Sequence, residues 1–367
     1  MNNTVRVLQV LGIMNRGGAE NMIMNIYRAI DKTKVQFDFV VHSEEEGAFD
    51  KEIVSLGGSI YHCPRFSLSN IFRYSRWWKK FFSSKPGYKI VHSHIRSTAS
   101  LILKQAKKKG IKTIIHSHST SNGRGMKSII KRFLQHNINK YSDAYFSCSY
   151  EAGKWLFGDK IVEKDNFYII KNAINLDNYF IDIKKRISLR KSFSFEDDIS
   201  VFIHVGRFHE SKNHPFLIKL FNEIHKKNDK SRLLLVGEGE LKNDIVRLVD
   251  ELKLNDSVIF TGLRSDVPEL LMMADCFLFP SKWEGLPVTV IEAQASGIPC
   301  FVSNNVTHDV KITELVHFLP IDTGVSCWVD EIVNNDNSRK DTRLIIKKAG
   351  YDVKETALWL QEFYRRF

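Results

Sequence analysis

The sequence predicts an α/β protein built of two doubly wound, Rossmann-like domains facing a central cleft. Three observations predict it. Apolar, β-rich runs alternate with helix-like stretches, the pattern of parallel strands covered by helices on both faces. The alternation runs to about residue 174 and restarts near residue 199. The chain has 367 residues, too many for one ordinary core.

The elements follow in order. "VRVLQVLGI" (5–13) reads as a strand and "AENMIMNIYRAI" (19–30) as a helix. "FDFVVHS" (37–43), "KIVHSH" (89–94) and "KTIIHSH" (112–118) are strands, the last two separated by the helix "TASLILKQAKKKG". "AYFSCS" (144–149) and "FYIIKNAI" (167–174) complete the first set. "NLDNYFIDIKKRISLRKSFSFEDD" (175–198) is polar and charged and reads as a linker. In the second set, "ISVFIHVGR" (199–207), "SRLLLVGEG" (231–239), "SVIFTGL" (257–263), "CFLFPS" (276–281) and "IPCFVS" (298–303) are strands. "HPFLIKLFNEIHKK" (214–227) and "VTVIEAQASG" (288–297) are helices, the second ended by its glycine. The amphipathic segment 353–367 is expected to dock back on the first domain. The expected division is therefore 1–178 with 353–367, and 179–352.

Composition narrows the function classes. No window approaches the ~18 apolar residues of a membrane span, and the N-terminus does not read as a signal peptide, so a cytoplasmic location is expected. Five single cysteines, without a C-x-x-C, argue against a disulfide framework or zinc knuckle. The net charge of +12 is localised: between Glu52 and Asp143 there is no acidic residue, against eighteen Lys and Arg. Such a field draws anions, either nucleic acid or an anionic membrane face.

Ligands of open parallel sheets bind at the strand C-termini, so the residues after strands carry the argument. "MNRGGAEN" (14–21) opens the first helix with Gly17 and Gly18, which suits close approach to an anion or a plain tight turn; it is not a dinucleotide fingerprint. "VGRFHESKNHPF" (205–216) sets Arg207 and Lys212 across a loop ending at a helix start, fit for a diphosphate or a solvated surface. His92/His94 and His116/His118 close neighbouring strands, each pair on one face. They read as ligand contacts or hydrogen-bonded strand ends; a zinc site is disfavoured because no Asp, Glu or Cys adjoins them.

"KWEGLPVTVIEAQASGIPC" (282–300) puts Glu284 in a glycine turn and Glu292 on the helix behind it. A glycosidase pair would need both carboxylates at one bond, which this offset makes doubtful. One carboxylate accepting sugar hydroxyls and the other a ribose diol fits better, with helix-capping or surface acids as the plain alternative. Paired aspartates for a metal-bound diphosphate do not follow any strand, so no metal cofactor is expected.

Together, "GGAE", "NAI", "VGRF…SKN…FL", "LLLVGEG.L", "VIFTGL…DV" and "ADCFLFPS.WEGLP.TVIEAQASGIP" resemble the retaining family-4 glycosyltransferases of bacteria, in their capsule and exopolysaccharide branch. The resemblance spans nearly the whole chain, and Glu284-x7-Glu292 is its most specific part. It implies a GT-B fold and a nucleotide-sugar donor, UDP-linked by family frequency, with no bound metal. It implies that Arg207 and Lys212 hold the diphosphate with help from the backbone N–H groups of Gly17 and Gly18. Glu284, with Gly285 and Leu286, would bind the hexose, Glu292 the ribose, and His118 would lie near the transferring hexose. Glu284 and His118 are thus the expected catalytic residues. The region after Ser303 follows the family pattern only loosely.

Acceptors in this family are often saccharides on a polyprenyl diphosphate. The basic, aromatic segment 67–82, with Arg73, Arg76, Trp77, Trp78, Lys79 and Lys80, is therefore expected to dock peripherally on the anionic inner leaflet and present the acceptor. Segment 127–140 is a second basic amphipathic stretch. A nucleotide-sugar epimerase and a basic nucleic-acid-binding protein are the alternatives; the second lacks a zinc-finger or RRM signature. An NAD-dependent oxidoreductase is disfavoured because no G-x-G-x-x-G follows a strand.

Overall fold

The structure is a computed structural model that describes residues 4–119, 126–336 and 338–367. The chain divides into two units, Met1–Ile174 with Gly350–Phe367, and Asn175–Ala349. The crossings thus fall at 174/175 and 349/350 rather than at 178/179 and 352/353. Backbone pairing explains both: Ile174 bridges Asp352, and the Val353 N–H donates to the Ile174 carbonyl.

Among the described residues, the first unit holds seven strands: β1 (Val5–Leu11), β2 (Val35–Val41), β3 (Ile60–His62), β4 (Ile90–Ser93), β5 (Lys112–Ser117), β6 (Ala144–Ser147) and β7 (Phe167–Ile169). Their order is β3-β2-β1-β4-β5-β6-β7, and every pairing is parallel. The order reverses between β1 and β4, the switch point where such sheets take ligands. All of β2 is buried, including Asp38. That carboxylate is matched by Arg6 at 2.8 and 2.6 Å, the Tyr88 hydroxyl at 2.7 Å and the Ser59 N–H at 2.7 Å, which offsets its desolvation. Helix Val353–Arg366 covers this unit with Val353, Ala357, Leu360 and Tyr364, as its amphipathic pattern requires.

The second unit holds β8 (Ser200–Val205), β9 (Ser231–Val236), β10 (Val258–Gly262), β11 (Cys276–Phe279), β12 (Cys300–Ser303) and β13 (Val316–Leu319). The order is β10-β9-β8-β11-β12-β13, all parallel, with its switch point between β8 and β11. Gly297 ends helix Val288–Ala295 at φ 74°, a conformation that glycine adopts without strain.

Segment 175–198 is not a linker. It forms a short turn, Leu176–Tyr179, and helix Ile183–Ser192. Arg186 and Arg190 of that helix both bond Asp275, which also accepts the Val201 N–H at 2.8 Å. A polar composition here marks an ion-paired helix seam. The five cysteines remain free, and Cys63, Cys276 and Cys300 are buried. No helix among the described residues is long and apolar enough to cross a membrane.

Candidate active site

The second unit gathers the expected donor residues around its switch point. β8 is followed by Gly206, where a Cβ would lie 2.9 Å from His204 Nε2 and 3.2 Å from Lys212 Cε. Glycine there lets Lys212 fold back. Gly237, at φ 143°, packs so close that a Cβ would meet the Gly206 carbonyl at 2.1 Å. Lys212 closes the short turn Glu210–Lys212, and Asn213 at φ 56° redirects the chain into helix His214–Lys227.

Lys212 Nζ lies 2.8 Å from Glu284 Oε1 and 4.6 Å from the centroid of the Phe279 ring. Both charged side chains are largely covered, at 16% and 19% exposure, so this pair is much less screened than a surface ion pair. The sequence placed these residues on different parts of a ligand; the structure pairs them directly. Arg207 points away from this pair: its side chain is 70% exposed and bonds Glu240 at 3.0 Å.

Glu284 is held by a bridge to Val306, and the exposed Gly285 and half-buried Leu286 lead into helix Val288–Ala295. Pro287 sits at its N-cap, and no side chain caps it. Its first turn, at the positive end of the helix dipole, therefore lacks a capping side chain. Among the described residues, the buried hydroxyls of Ser281 and Thr289 have no partner. Just over one turn into the helix, Glu292 Oε1 accepts a hydrogen bond from Tyr179 at 2.9 Å. Burial pushes the Glu292 carboxyl up to about 7, against the opposing hydrogen bond. Tyr179 was not anticipated, because it lies 113 residues from Glu292 inside the supposed linker.

The first unit gathers a second cluster at its own switch point. His92 and His94 of the β4 end face His116 and His118 of the β5 end in two hydrogen-bonded rows. In one, Gln9 Oε1 lies 2.9 Å from His94 Nε2, and His94 Nδ1 lies 2.8 Å from His118 Nε2. In the other, the Tyr364 hydroxyl lies 2.7 Å from His92 Nδ1, and His92 Nε2 lies 3.2 Å from His116 Nδ1. Desolvation drives all four well below the ordinary histidine value, His118 to about 3. Nitrogens of His92, His94 and His116 lie within 4.8 Å of one another, near enough to share a metal ion. The rings of His92 and His94, however, stack face to face at 4.4 Å. A metal sits in the plane of each ligating ring, so these orientations suit hydrogen bonds better.

Gly17 and Gly18 open helix Gly18–Ala29 beside this cluster's strand β1. The Gly17 N–H already donates to the Asn15 carbonyl at 2.9 Å. Glu20 curls over the same turn, where a Gly17 Cβ would meet its Oε2 at 2.3 Å. The carboxylate thus meets the helix N-terminus that was expected to face phosphate.

The basic helix Ile71–Ser84 corrects one expectation. Trp78 is fully buried, and Trp77 is partly buried, stacked on Phe81 at 5.1 Å. The helical period places Tyr74, Trp78, Phe81 and Phe82 on the core face. Arg73, Arg76, Lys79 and Lys80 are exposed on the other, together with Phe72 at 83% exposure. On helix Met126–Gln135, Ile129 and Phe133 are exposed beside Lys131 and Arg132.

Comparison with known proteins follows this geometry. Residues 16–178 match the profile of glycosyltransferase family 4, and residues 185–323 that of glycosyl transferases group 1. The putative glycosyltransferase EpsF of Bacillus subtilis is 33% identical over 372 residues, covering 98% of this chain and 96% of that one. The chain belongs to the family 4, group 1 glycosyltransferases. An Escherichia coli UDP-Gal:α-D-GlcNAc-diphosphoundecaprenol α-1,3-galactosyltransferase is 28% identical over 227 residues, 60% of this glycosyltransferase and 59% of that enzyme. In fold, it matches Anabaena Alr3699/HepE, solved in complex with UDP and glucose, with a TM-score of 0.76 at 16% identity over 99% of this chain and 100% of that one. The fold of this glycosyltransferase is GT-B: two parallel-sheet α/β units of seven and six strands.

Proposed function

We propose that this glycosyltransferase moves a hexose, with retention and without a metal cofactor, from a UDP-sugar to a saccharide carried on a polyprenyl diphosphate in surface polysaccharide synthesis. The observation that carries the donor reading is the line of Lys212, Glu284, the uncapped start of helix Val288–Ala295, and Glu292 within one unit. A diphosphate at that helix start would draw Lys212 from Glu284, with Arg207 as a second cation. Glu284, so released, accepts hydroxyls of the hexose, and Gly285 and Leu286 supply backbone donors. Glu292 accepts the ribose diol.

Catalysis on this reading is electrostatic. The bond from the anomeric carbon to the phosphate oxygen breaks as the acceptor oxygen attacks from the same face. Lys212 and the helix N–H groups stabilise charge on the leaving diphosphate. A phosphate oxygen of that leaving group takes the acceptor's proton, so the protein supplies positioning instead of a strong base. The names of two similar proteins support the substrates: one was solved with UDP, and one acts on a diphosphoundecaprenol-linked sugar.

The membrane part of the proposal rests on the two basic helices of the first unit. Each exposes apolar side chains among cations: Phe72 with Arg73, Arg76, Lys79 and Lys80, and Ile129 and Phe133 with Lys131 and Arg132. Such faces bind anionic bilayers peripherally.

The test is a panel of UDP-, GDP- and ADP-sugars with EDTA present, on wild type and Glu292→Ala. The expected result is tight binding of one UDP-sugar, slow metal-free release of UDP, and loss of both in the variant. Binding only with a divalent cation, or to none of the panel, refutes the assignment.

A further inference from the structure

Lys212 is asked to do two things that exclude each other. Its ammonium pairs with Glu284 at 2.8 Å. On the donor reading it must leave that carboxylate and meet a diphosphate. A lysine carries its charge on a flexible four-carbon stem, so an ammonium released from its only anchor spreads over many rotamers. A second anchor, one that does not compete with phosphate, would hold it through the exchange.

The structure supplies one. The loop that carries Lys212 is tied down on both sides of it. The Lys282 N–H donates to the Ser211 carbonyl at 2.8 Å, and Asn213 Nδ2 donates to the Pro280 carbonyl at 3.1 Å. Both bonds run to the segment just after β11, whose last residue is the fully buried Phe279. Lys212 Nζ stands over the Phe279 ring, 4.6 Å from its centroid. The ring is itself fixed: it stacks on His204 at 5.6 Å and on Phe277 at 5.8 Å, with interplanar angles of 24° and 19°. Gly206 leaves room for the stem, because a Cβ there would come within 3.3 Å of Lys212 Cδ.

A ring face attracts an ammonium through its quadrupole, and more strongly where water is excluded. Lys212 is only 16% exposed. The ring carries no net charge, so it does not neutralise the cation. The three N–H donors can turn from a carboxylate to a phosphate while the ammonium stays over the same face.

We propose that Phe279 is a positioning residue, whose ring face carries the Lys212 ammonium from Glu284 in the free protein to the diphosphate of a bound nucleotide-sugar. The diphosphate rests on the transferase reading above; the ring contact does not. A leucine would fill the same place at the end of β11 but offer no negative face.

The test replaces Phe279 in the full chain by phenylalanines bearing one, two or three fluorines. Fluorine withdraws charge from the ring face and barely alters its shape, so packing is kept while the attraction fades. The Kd for UDP should rise with each fluorine, by about tenfold for the trifluoro ring, with thermal midpoints unchanged. A flat series in folded protein overturns the proposal. A second measurement needs no nucleotide. In proton–carbon NMR of lysine-labelled chain, with Lys212 assigned by Lys212→Arg, its ε-protons should be shifted upfield by the ring in the wild type and lie at ordinary positions in Phe279→Leu. Ordinary positions in the wild type also overturn the proposal. If no nucleotide-sugar binds the wild type, the transferase reading fails, and this spectrum still decides the ring contact.

Discussion

Glu292→Gln should make the protein more stable at neutral pH while it abolishes donor binding. The carboxyl is raised from 4.5 to about 7 by burial. Its folded state therefore holds the proton more tightly than its unfolded state. The favourable, protonated condition is complete below about 4.5, is lost as pH rises through 7, and leaves a buried carboxylate above that. The distance from 4.5 to about 7 corresponds to roughly 3 kcal/mol. Glutamine keeps an oxygen for the Tyr179 hydroxyl and never ionises. With a urea slope of about 1 to 3 kcal/mol/M, the variant's midpoint should exceed the wild type's by about 1 to 3 M at pH 8. The gap should close as the pH falls to 4.5. Urea titrations monitored by circular dichroism at several pH values measure this. Equal midpoints at pH 8, or a gap that does not shrink on acidification, would refute the desolvation argument.

Two other perturbations report on different parts of the molecule. Gly237→Ala should lower the thermal midpoint sharply or prevent folding, at a cost of about 3 kcal/mol or more. It combines a 143° φ with a Cβ only 2.1 Å from the Gly206 carbonyl. Lys79→Glu with Lys80→Glu should abolish binding to phosphatidylglycerol vesicles in flotation assays. Phe72→Ser should weaken that binding by about tenfold through lost apolar contact, and unchanged flotation in both would sink the membrane proposal.

The fold was legible because parallel strands buried on both faces are written as dense apolar runs, such as "FIHV" before Gly206 and "CFLF" before Pro280. The short edge strands β3 and β13 escaped notice because three or four half-exposed residues leave no such run. Helix Ile183–Ser192 escaped for a different reason. Arg186 and Arg190 bury their stems and meet Asp275, which is remote in sequence, so a seam looks like a solvated link. Trp77 and Trp78 were misplaced because the segment was read by composition; its helical phase puts the tryptophans toward the core and the charges out. Position after a strand placed Lys212, Glu284 and the histidines at the C-terminal edges of the sheets, where the structure also has them. Their partners were not legible. Which acid Lys212 meets, and that Tyr179 meets Glu292, depend on distances through space that spacing does not encode.

The return of residues 350–367 to the first unit has a consequence for synthesis. A ribosome delivers residues 5–174 first, yet the sheet they form lacks Val353, Ala357, Leu360 and Tyr364 until the final segment emerges. Meanwhile residues 175–349 are contiguous and can close as soon as they are out. The half that is made second can therefore be finished first. During that interval the nascent first half shows an apolar face, and His92 lacks the Tyr364 hydroxyl. This is the period in which a chaperone would have most to shield, and in which a stalled or clipped chain would be most prone to aggregate.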